Sequence, residues 1–303
     1  MNYNQRRRES FKTMIKIIIV LLLLLGLALF LNWSNKSLVI TGYQYGSQDL
    51  PAAFEGYRIT QVSDLQSEYF GDGQGDLLRT VKETHPDIIV FTGDLIDRNH
   101  TDYDAARIAM EGLLEIAPVY YVNGNHEMAL NEETIRAFYD ELADMGVEVL
   151  FDRGASITKD DEAIQLLGLS EYTVFQCKDN IRSNKVRADE QMMRSALDTL
   201  SADVEEEDFV VLLTHEPQYL DVYASSKIDL IFAGHAHGGQ IRLPFTDGLY
   251  APGQGALPKM TSGMHKSGGS TLVVSRGLGN STFPFRVFNR PEIVTVDLHC
   301  TEK

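Results

Sequence analysis

Five short apolar runs in this chain each break off at residues that bind metals. Ile59-Thr60-Gln61-Val62 leads into Ser63-Asp64-Leu65-Gln66, and Ile88-Ile89-Val90-Phe91 leads into Thr92-Gly93-Asp94-Leu95-Ile96-Asp97. Val119-Tyr120-Tyr121-Val122 is followed by Asn123-Gly124-Asn125-His126-Glu127. Val210-Val211-Leu212-Leu213 is followed by Thr214-His215-Glu216-Pro217, and Leu230-Ile231-Phe232-Ala233 by Gly234-His235-Ala236-His237-Gly238. A short apolar run that is suddenly punctuated reads as a buried strand. Polar residues just past strand ends are where open α/β sheets build their sites. One such strand means little; five, carrying Asp, Asn and His, point to a metal site. Asn123 reads as a capping residue, and His85, His100, His265 and His299 lack this placement and read as ordinary surface residues.

The 303 residues suffice for one large α/β domain or two small ones, and the composition is that of a globular protein. Formal charge is −16 overall. The first 36 residues carry six Lys/Arg and Glu9, a net +5, which leaves −21 for the rest. Such a surface repels nucleic-acid backbones, so no general nucleic-acid binding is expected. It also opposes docking flat on anionic lipid. The two cysteines, Cys177 and Cys300, form no Cys-x-x-Cys pair, which removes zinc-ribbon and thioredoxin readings. A single disulfide and two unpaired thiols both stay open.

Ile17 to Leu31 is an unbroken uncharged apolar run. With Met14–Lys16 before it and Asn32-Trp33 after it, the segment has twenty positions, enough for one bilayer crossing at roughly 1.5 Å per residue. A cleaved signal peptide is the competing reading. The run is long for one, and no small-x-small cleavage site follows. Arg6, Arg7, Arg8 and Lys12 precede it, which places the N-terminus in the cytoplasm and the remainder outside. The expected organisation is a basic cytoplasmic tail at 1–13, a transmembrane anchor at 14–33, a linker with an entry strand at Leu38–Ile40 within 34–54, and a catalytic domain at 55–299. The expected location is thus the cell membrane, single-pass, with that domain extracytoplasmic.

Within the domain, Gln74–Thr84, Asp102–Ile116, Glu132–Met145 and Glu190–Leu200 read as helices, with Asp102 or Thr101 as a cap and Gly146 as a stop. Val147–Leu150, Ala163–Leu169, Thr271–Val274 and Ile293–Val296 read as strands. Glu205–Asp208 reads as a solvated loop, and Ile241–Gly269 as loops and short strands. Strands and helices in this mixed order suggest an α/β fold of two packed sheets with helices outside.

Hard divalent ions require carboxylates and borderline ions favour imidazole. Asp64 and Asp94 supply the first, His215, His235 and His237 the second, and Asn125 adds a carbonyl oxygen. Two adjacent metals can hold one bridging hydroxide and clamp both the attacking and leaving oxygens of a phosphate ester. Two such ions against two carboxylates leave about +2, a phosphate trap in an acidic protein.

Taken in order from Ile59 to Gly239, Asp64-x-Gln66, Gly93-Asp94-x-x-Asp97, Gly124-Asn125-His126-Glu127, His215 and Gly234-His235-x-His237 resemble the signature of calcineurin-like metallophosphoesterases. The anchor and the Gly238-Gly239-Gln240 extension are similar to the bacterial membrane-anchored type. The resemblance implies a four-layer α/β/β/α sandwich and a metal-dependent phosphohydrolase, with a phosphodiesterase preferred and a phosphomonoesterase as the alternative. It implies one metal on Asp64, Gln66, Asp94 and His237, and a second on Asp94, Asn125, His215 and His235. His126 would face the substrate as proton donor or charge stabiliser, with Asp97 orienting it or a ligand.

Gln66 departs from the family's His. A carbonyl oxygen there favours a harder metal, Mn²⁺ or Fe²⁺ rather than Zn²⁺, with Zn²⁺ and Mg²⁺ left open. The alternatives are a poorly occupied, slow site, or a phosphate-binding pseudoenzyme. An outward-facing anchored site suits lipid-linked or envelope-derived phosphate esters as substrates. Arg276 and Arg286 are candidate phosphate contacts, with structural salt bridges as the equal alternative.

Overall fold

The computed structural model describes residues 3–179, 186–243, 246–281 and 283–302. Positions 244–245, inside the segment Ile241–Gly269 read as loops and short strands, and position 282 lie outside the described residues. The described chain opens with helix α1 (Tyr3–Lys36) and strands β1 (Val39–Ser47) and β2 (Arg58–Val62). Then come α2 (Gly75–Lys82), β3 (Ile88–Thr92), α3 (Tyr103–Leu114), β4 (Val119–Val122) and α4 (Glu132–Met145). Next are β5 (Glu148–Val149), β6 (Arg153–Lys159), β7 (Glu162–Gly168), α5 (Glu171–Asp179) and α6 (Val186–Leu200). β8 (Val210–Leu213), α7 (Leu220–Tyr223) and β9 (Leu230–Ala233) follow. The chain closes with β10 (Tyr250–Ala251), β11 (Gly255–Ala256), β12 (Gly263–Ser267), β13 (Ser270–Val274) and β14 (Glu292–Cys300).

All five apolar runs are strands: β2, β3, β4, β8 and β9. Local chemistry sets the helix ends as read from the sequence. Asp102 caps α3 by accepting from the N–H of Asp104 and Ala105. Gly146 stops α4 at φ 104°, a conformation a side chain disfavours.

Two six-stranded sheets form, ordered β1-β14-β2-β3-β4-β5 and β12-β13-β9-β8-β7-β6. Alternate residues point to opposite faces, and this divides the core in three. Ile59, Val90, Val122 and Val294 of the first sheet meet Leu166, Val211, Leu213 and Phe232 of the second. On the outer face of the first sheet, Ile89, Phe91 and Tyr121 pack under Leu77, Met110 and Phe138 of α2, α3 and α4. On the outer face of the second, Leu212, Ile231 and Leu272 pack under Val174, Leu197 and Tyr223 of α5, α6 and α7. The result is the expected four-layer α/β/β/α sandwich. Each fully buried Val, Leu, Ile or Phe contributes about 1.5–3 kcal/mol.

β2, β3 and β4 are parallel, as are β8 and β9, so the carboxyl ends within each set share one edge. The Gln61 side-chain amide crosses the sandwich to donate to the Ala233 carbonyl at 2.9 Å, which ties β2 to β9. The five polar strand ends therefore meet in one place.

Some elements differ from the sequence reading. The three-residue entry strand is nine residues long, because β1 pairs in parallel with the equally long β14 from Val39–Glu292 to Ser47–Cys300. α5 and β6 were not expected; β6 covers the second sheet's edge and is largely exposed. Cys177 is buried and Cys300 is exposed.

Residues 7–36 of α1 are long and apolar enough to cross a membrane, and the most apolar 18-residue stretch within them is unburied. Its last turn is docked on the domain. The Trp33 ring lies 5.0 Å from the Arg290 guanidinium. Asn35 accepts from the Arg286 N–H at 2.9 Å and from the Asn280 amide at 3.0 Å. Lys36 donates to the Tyr69 carbonyl at 3.0 Å and pairs with Glu68.

Candidate metal centre

Five of the seven expected ligand positions have left-handed backbone: Asp64 (φ 54°), Gln66 (54°), Asp94 (52°), His235 (66°) and His237 (45°). Non-glycine residues adopt this region at a cost and cluster there at functional sites. The turns it makes fold each polar side chain back over its strand end. Backbone hydrogen bonds hold them in register: the N–H of Asp64 donates to Gly93, and that of Gln66 to Asp94, both at 2.9 Å. Glycines make the close approaches possible. A Cβ on Gly124 would sit 2.3 Å from Asp94 Oδ1, and one on Gly234 would sit 2.0 Å from Ser63 Oγ.

Five of the seven expected ligand residues fall into two groups. Asp94, His215 and His235 offer ligand atoms within 4.8 Å of one another, and so do Asp64, Asp94 and His237. Asp94 belongs to both. His237 Nε2 is 3.3 Å from Asp64 Oδ1, and His215 Nε2 is 3.3 Å from Asp94 Oδ2. His215 Nδ1 donates to the Thr92 carbonyl at 2.7 Å, which turns Nε2 towards the site. His237 Nδ1 faces the Gly279 carbonyl at 3.3 Å, with the same consequence. The Gln66 amide nitrogen donates to Asp94 Oδ2 at 2.7 Å.

His126 is 3 % exposed. Its Nδ1 lies 3.2 Å from Asp97 Oδ1, and its Nε2 lies 4.0 Å from Asp94 Oδ2 and 3.2 Å from Ser281 Oγ. Asp97 is thus beside His126 and outside both ligand groups. Arg276 forms a salt bridge with Glu292 at 2.8 Å, the structural alternative weighed for it. Arg286 is fully buried and donates to the Gly279 carbonyl at 2.6 Å, while Nε and Nη1 have no hydrogen-bond partner.

Glu127 and Ser281 were not singled out in the sequence. Glu127 is fully buried and accepts from three backbone N–H groups, of Gly124 at 2.8 Å, Ile96 at 2.9 Å and Asp94 at 3.1 Å. It pins the β3 and β4 loops to each other. An acid directly after Asn-His gave no sign of that role, because an isolated Glu normally reads as surface.

The donor set fits divalent cations. Asp64 and Asp94 are buried and faced by imidazoles, an expensive arrangement without a cation. Gln66 Oε1, Asn125 Oδ1 and His215 Nε2 are buried with no hydrogen-bond partner. These are hard and borderline donors in a mixed O/N set.

Burial raises the Asp64 carboxyl to about 6, with Asp94 adding repulsion and His215 opposing. Burial likewise raises Glu127 to about 7, with Asp94 adding to it. For Asp94, burial pushes upward but His215 and His126 prevail and hold it below the usual range. Burial lowers His237, and Arg286 reinforces this, so the imidazole stays neutral. The raised carboxyls make the metal-free native state bind more protons than the unfolded chain between about pH 4 and about pH 7. Their contribution to metal-free stability therefore falls as pH rises. A cation requires the carboxylate, so the sign reverses on loading. The rise in Tm on adding Mn²⁺ is expected to be several degrees larger at about pH 7.5 than at about pH 5. Thermal unfolding with Mn²⁺ against EDTA at the two pH values checks this, and an increment independent of pH contradicts it.

The sequence profile of the calcineurin-like phosphoesterases matches residues 57–239, which holds all five strand-end motifs. The uncharacterized metallophosphoesterase YkuE of Bacillus subtilis is 29 % identical over 266 residues, 86 % of this chain and 85 % of that protein. The phosphodiesterase YaeI of Escherichia coli is 26 % identical over 218 residues, 71 % and 72 % of the two chains. A transmembrane protein with metallophosphoesterase domain of Danio rerio is 25 % identical over 264 residues, 83 % of this chain and 55 % of that one. With more than half its length matched and the strand-end motifs gathered into one buried centre, the chain belongs to the calcineurin-like phosphoesterase family.

Proposed function

We propose that this protein is a dinuclear-metal phosphodiesterase held at the outer face of a membrane by α1. The observation that carries the reading is the pair of ligand groups sharing Asp94. One cation would be held by Asp64, Gln66, Asp94 and His237, the other by Asp94, Asn125, His215 and His235. Such cations, when bound, supply Lewis-acid stabilisation of the ester's charge and lower the pKa of the attacking water.

The chain's own residues do the rest. Asp64 and Asp94 set the charge of the centre. Thr92 and Gly279 carbonyls fix the His215 and His237 tautomers so that Nε2 faces inward. His126 presents Nε2 towards the site with Asp97 at its other nitrogen. It is placed to hold a proton for the leaving oxygen or to stabilise charge on the phosphoryl group. Ser281 Oγ lies 3.2 Å from that nitrogen.

Gln66 supports a working site with a hard metal. Its Oε1 is buried without a partner, an acceptor in want of a cation. Gln66→His is expected to raise retention of Zn²⁺ relative to Mn²⁺ by about tenfold or more. Competitive dialysis with metal analysis reads this, and an unchanged ratio would remove Gln66 from the ligand set.

The full-length protein with Mn²⁺ is expected to hydrolyse an aryl phosphodiester faster than the corresponding monoester. The reverse preference makes it a phosphomonoesterase. Phosphate binding without turnover of either makes it a pseudoenzyme. The outward orientation follows from Arg6, Arg7, Arg8 and Lys12 before the span. Protease added to intact cells should then remove the domain; protection would reverse the topology.

A further inference from the structure

An apolar cleft of 210 Å³ adjoins the metal centre, lined by Ile241, Leu249, Tyr250, Pro252 and Phe283 together with Gly239 and Gln240. Gly239 is two residues past the ligand-group residue His237, hence within about 8 Å along the chain. Phe283 is two residues past Ser281, whose hydroxyl lies 3.2 Å from His126 Nε2. The cleft is thus flanked by the segments that reach both a metal group and the imidazole. Around it, Leu243, Tyr250, Leu257, Phe283, Phe285 and Phe288 are between 44 % and 68 % exposed. Concentrations of large apolar side chains on a soluble surface mark interaction sites.

The end of the apolar helix shows what this rim faces. Phe288 packs on Phe30 of α1, with ring centroids 5.2 Å apart. Three residues on, Trp33 suits a membrane interface and lies against Arg290. Asn35 then bonds Asn280 and the Arg286 backbone, and so clamps the segment that carries Phe283 and Phe285 to the helix end. Ser281 thus contacts His126, while Phe288 contacts the C-terminal part of α1. The clamp holds the rim beside the end of the apolar helix. The rest of the domain is acidic, which disfavours adhesion through anionic headgroups and leaves hydrocarbon contact as the complementary interaction.

Resting on the phosphoesterase reading, we propose that the substrate is a lipid-borne phosphate ester whose hydrocarbon tail passes over the aromatic rim and seats in the Ile241–Phe283 cleft while its phosphate reaches the metal centre. Hydrolysis breaks one P–O bond: water supplies the oxygen that joins phosphorus and the proton that leaves with the departing oxygen. A membrane-resident lipid alcohol or headgroup is one of the two products.

The test uses full-length protein in neutral phosphatidylcholine vesicles with Mn²⁺ and a series of alkyl p-nitrophenyl phosphates, ethyl to hexadecyl. The reacting centre is constant and only the tail grows. The ratio of kcat/KM for hexadecyl to ethyl ester is expected to be at least about tenfold, the gain from roughly two buried methylenes. In Phe283→Ser and in Tyr250→Ser that ratio is expected to collapse towards one. Because each variant is compared with itself, a general loss of folded protein cancels. A flat series in the wild type overturns the proposal, and so does a rise that survives in both variants. A flat series with a dimer that the variants dissociate makes the rim a self-association surface, and the proposal falls. Failure to cleave even the ethyl ester removes the phosphoesterase reading itself, and the inference with it.

Discussion

Asp94→Asn is expected to slow aryl phosphodiester hydrolysis by about a thousandfold or more, at least about 4 kcal/mol of transition-state stabilisation. Asp94 alone belongs to both ligand groups, so its charge would serve both cations. The substitution preserves size and one acceptor oxygen for the His126 N–H, which donates to Asp94 at 2.8 Å. Misfolding is thus separable from loss of chemistry. Asp94 is held below the usual carboxylate range by His215 and His126, so its loss leaves those imidazoles without their counter-charge. The metal-free variant should therefore unfold at a temperature at or below that of metal-free wild type. Its Tm should no longer rise with Mn²⁺ as the wild type's does. Wild-type turnover in the variant would sever the link between the shared carboxylate and catalysis.

His126→Gln is expected to lower kcat by about 10²–10⁴ with metal content unchanged. The histidine lies outside both ligand groups, 4.0 Å from Asp94 Oδ2, and is held by Asp97 on its other nitrogen. Leaving-group dependence separates its roles. A proton donor matters most when the leaving oxygen is basic, so the loss should be larger for alkyl than for nitrophenyl leaving groups. A uniform loss points instead to charge stabilisation on the phosphoryl group. If metal content falls with activity, His126 acts by supporting the centre.

The parts of this site that were legible in the sequence share a physical origin. β2, β3, β4, β8 and β9 are buried on both faces, so each reads as a solid apolar run whose end is unmistakable. The candidate ligands follow at once, and the parallel pairing of those strands brings them to one edge. β1 and β14 were underestimated for the opposite reason. β1 alternates partly exposed with exposed residues through Gly42, Gln44 and Gly46, and its pairing partner lies some 250 residues away, beyond any local pattern. Arg153 and Gly154 begin an exposed edge strand with little hydrophobic signal. α5 has no apolar stripe marked enough to announce a helix. Glu127 and Asn35 were missed because polar residues reveal a supporting role only through contacts made in three dimensions. Of the two arginines weighed as phosphate contacts, Arg276 is committed to Glu292, which no spacing in the sequence encodes.

Gln66 connects the legible and the hidden. As a residue type it is a departure; in the structure its Oε1 faces inward, buried and unpartnered, while its amide nitrogen binds Asp94. A decayed site would be expected to lose several donors together. Here Asp64, Asp94, His215, His235 and His237 keep their positions around it.

The dinuclear centre is tested most directly by counting metal. Full-length protein purified with Mn²⁺ and passed through a desalting column is expected to retain about two Mn²⁺ per chain, and Asp94→Asn about one or fewer. A wild-type content below about one Mn²⁺ per chain under the same conditions would contradict a working two-metal phosphoesterase.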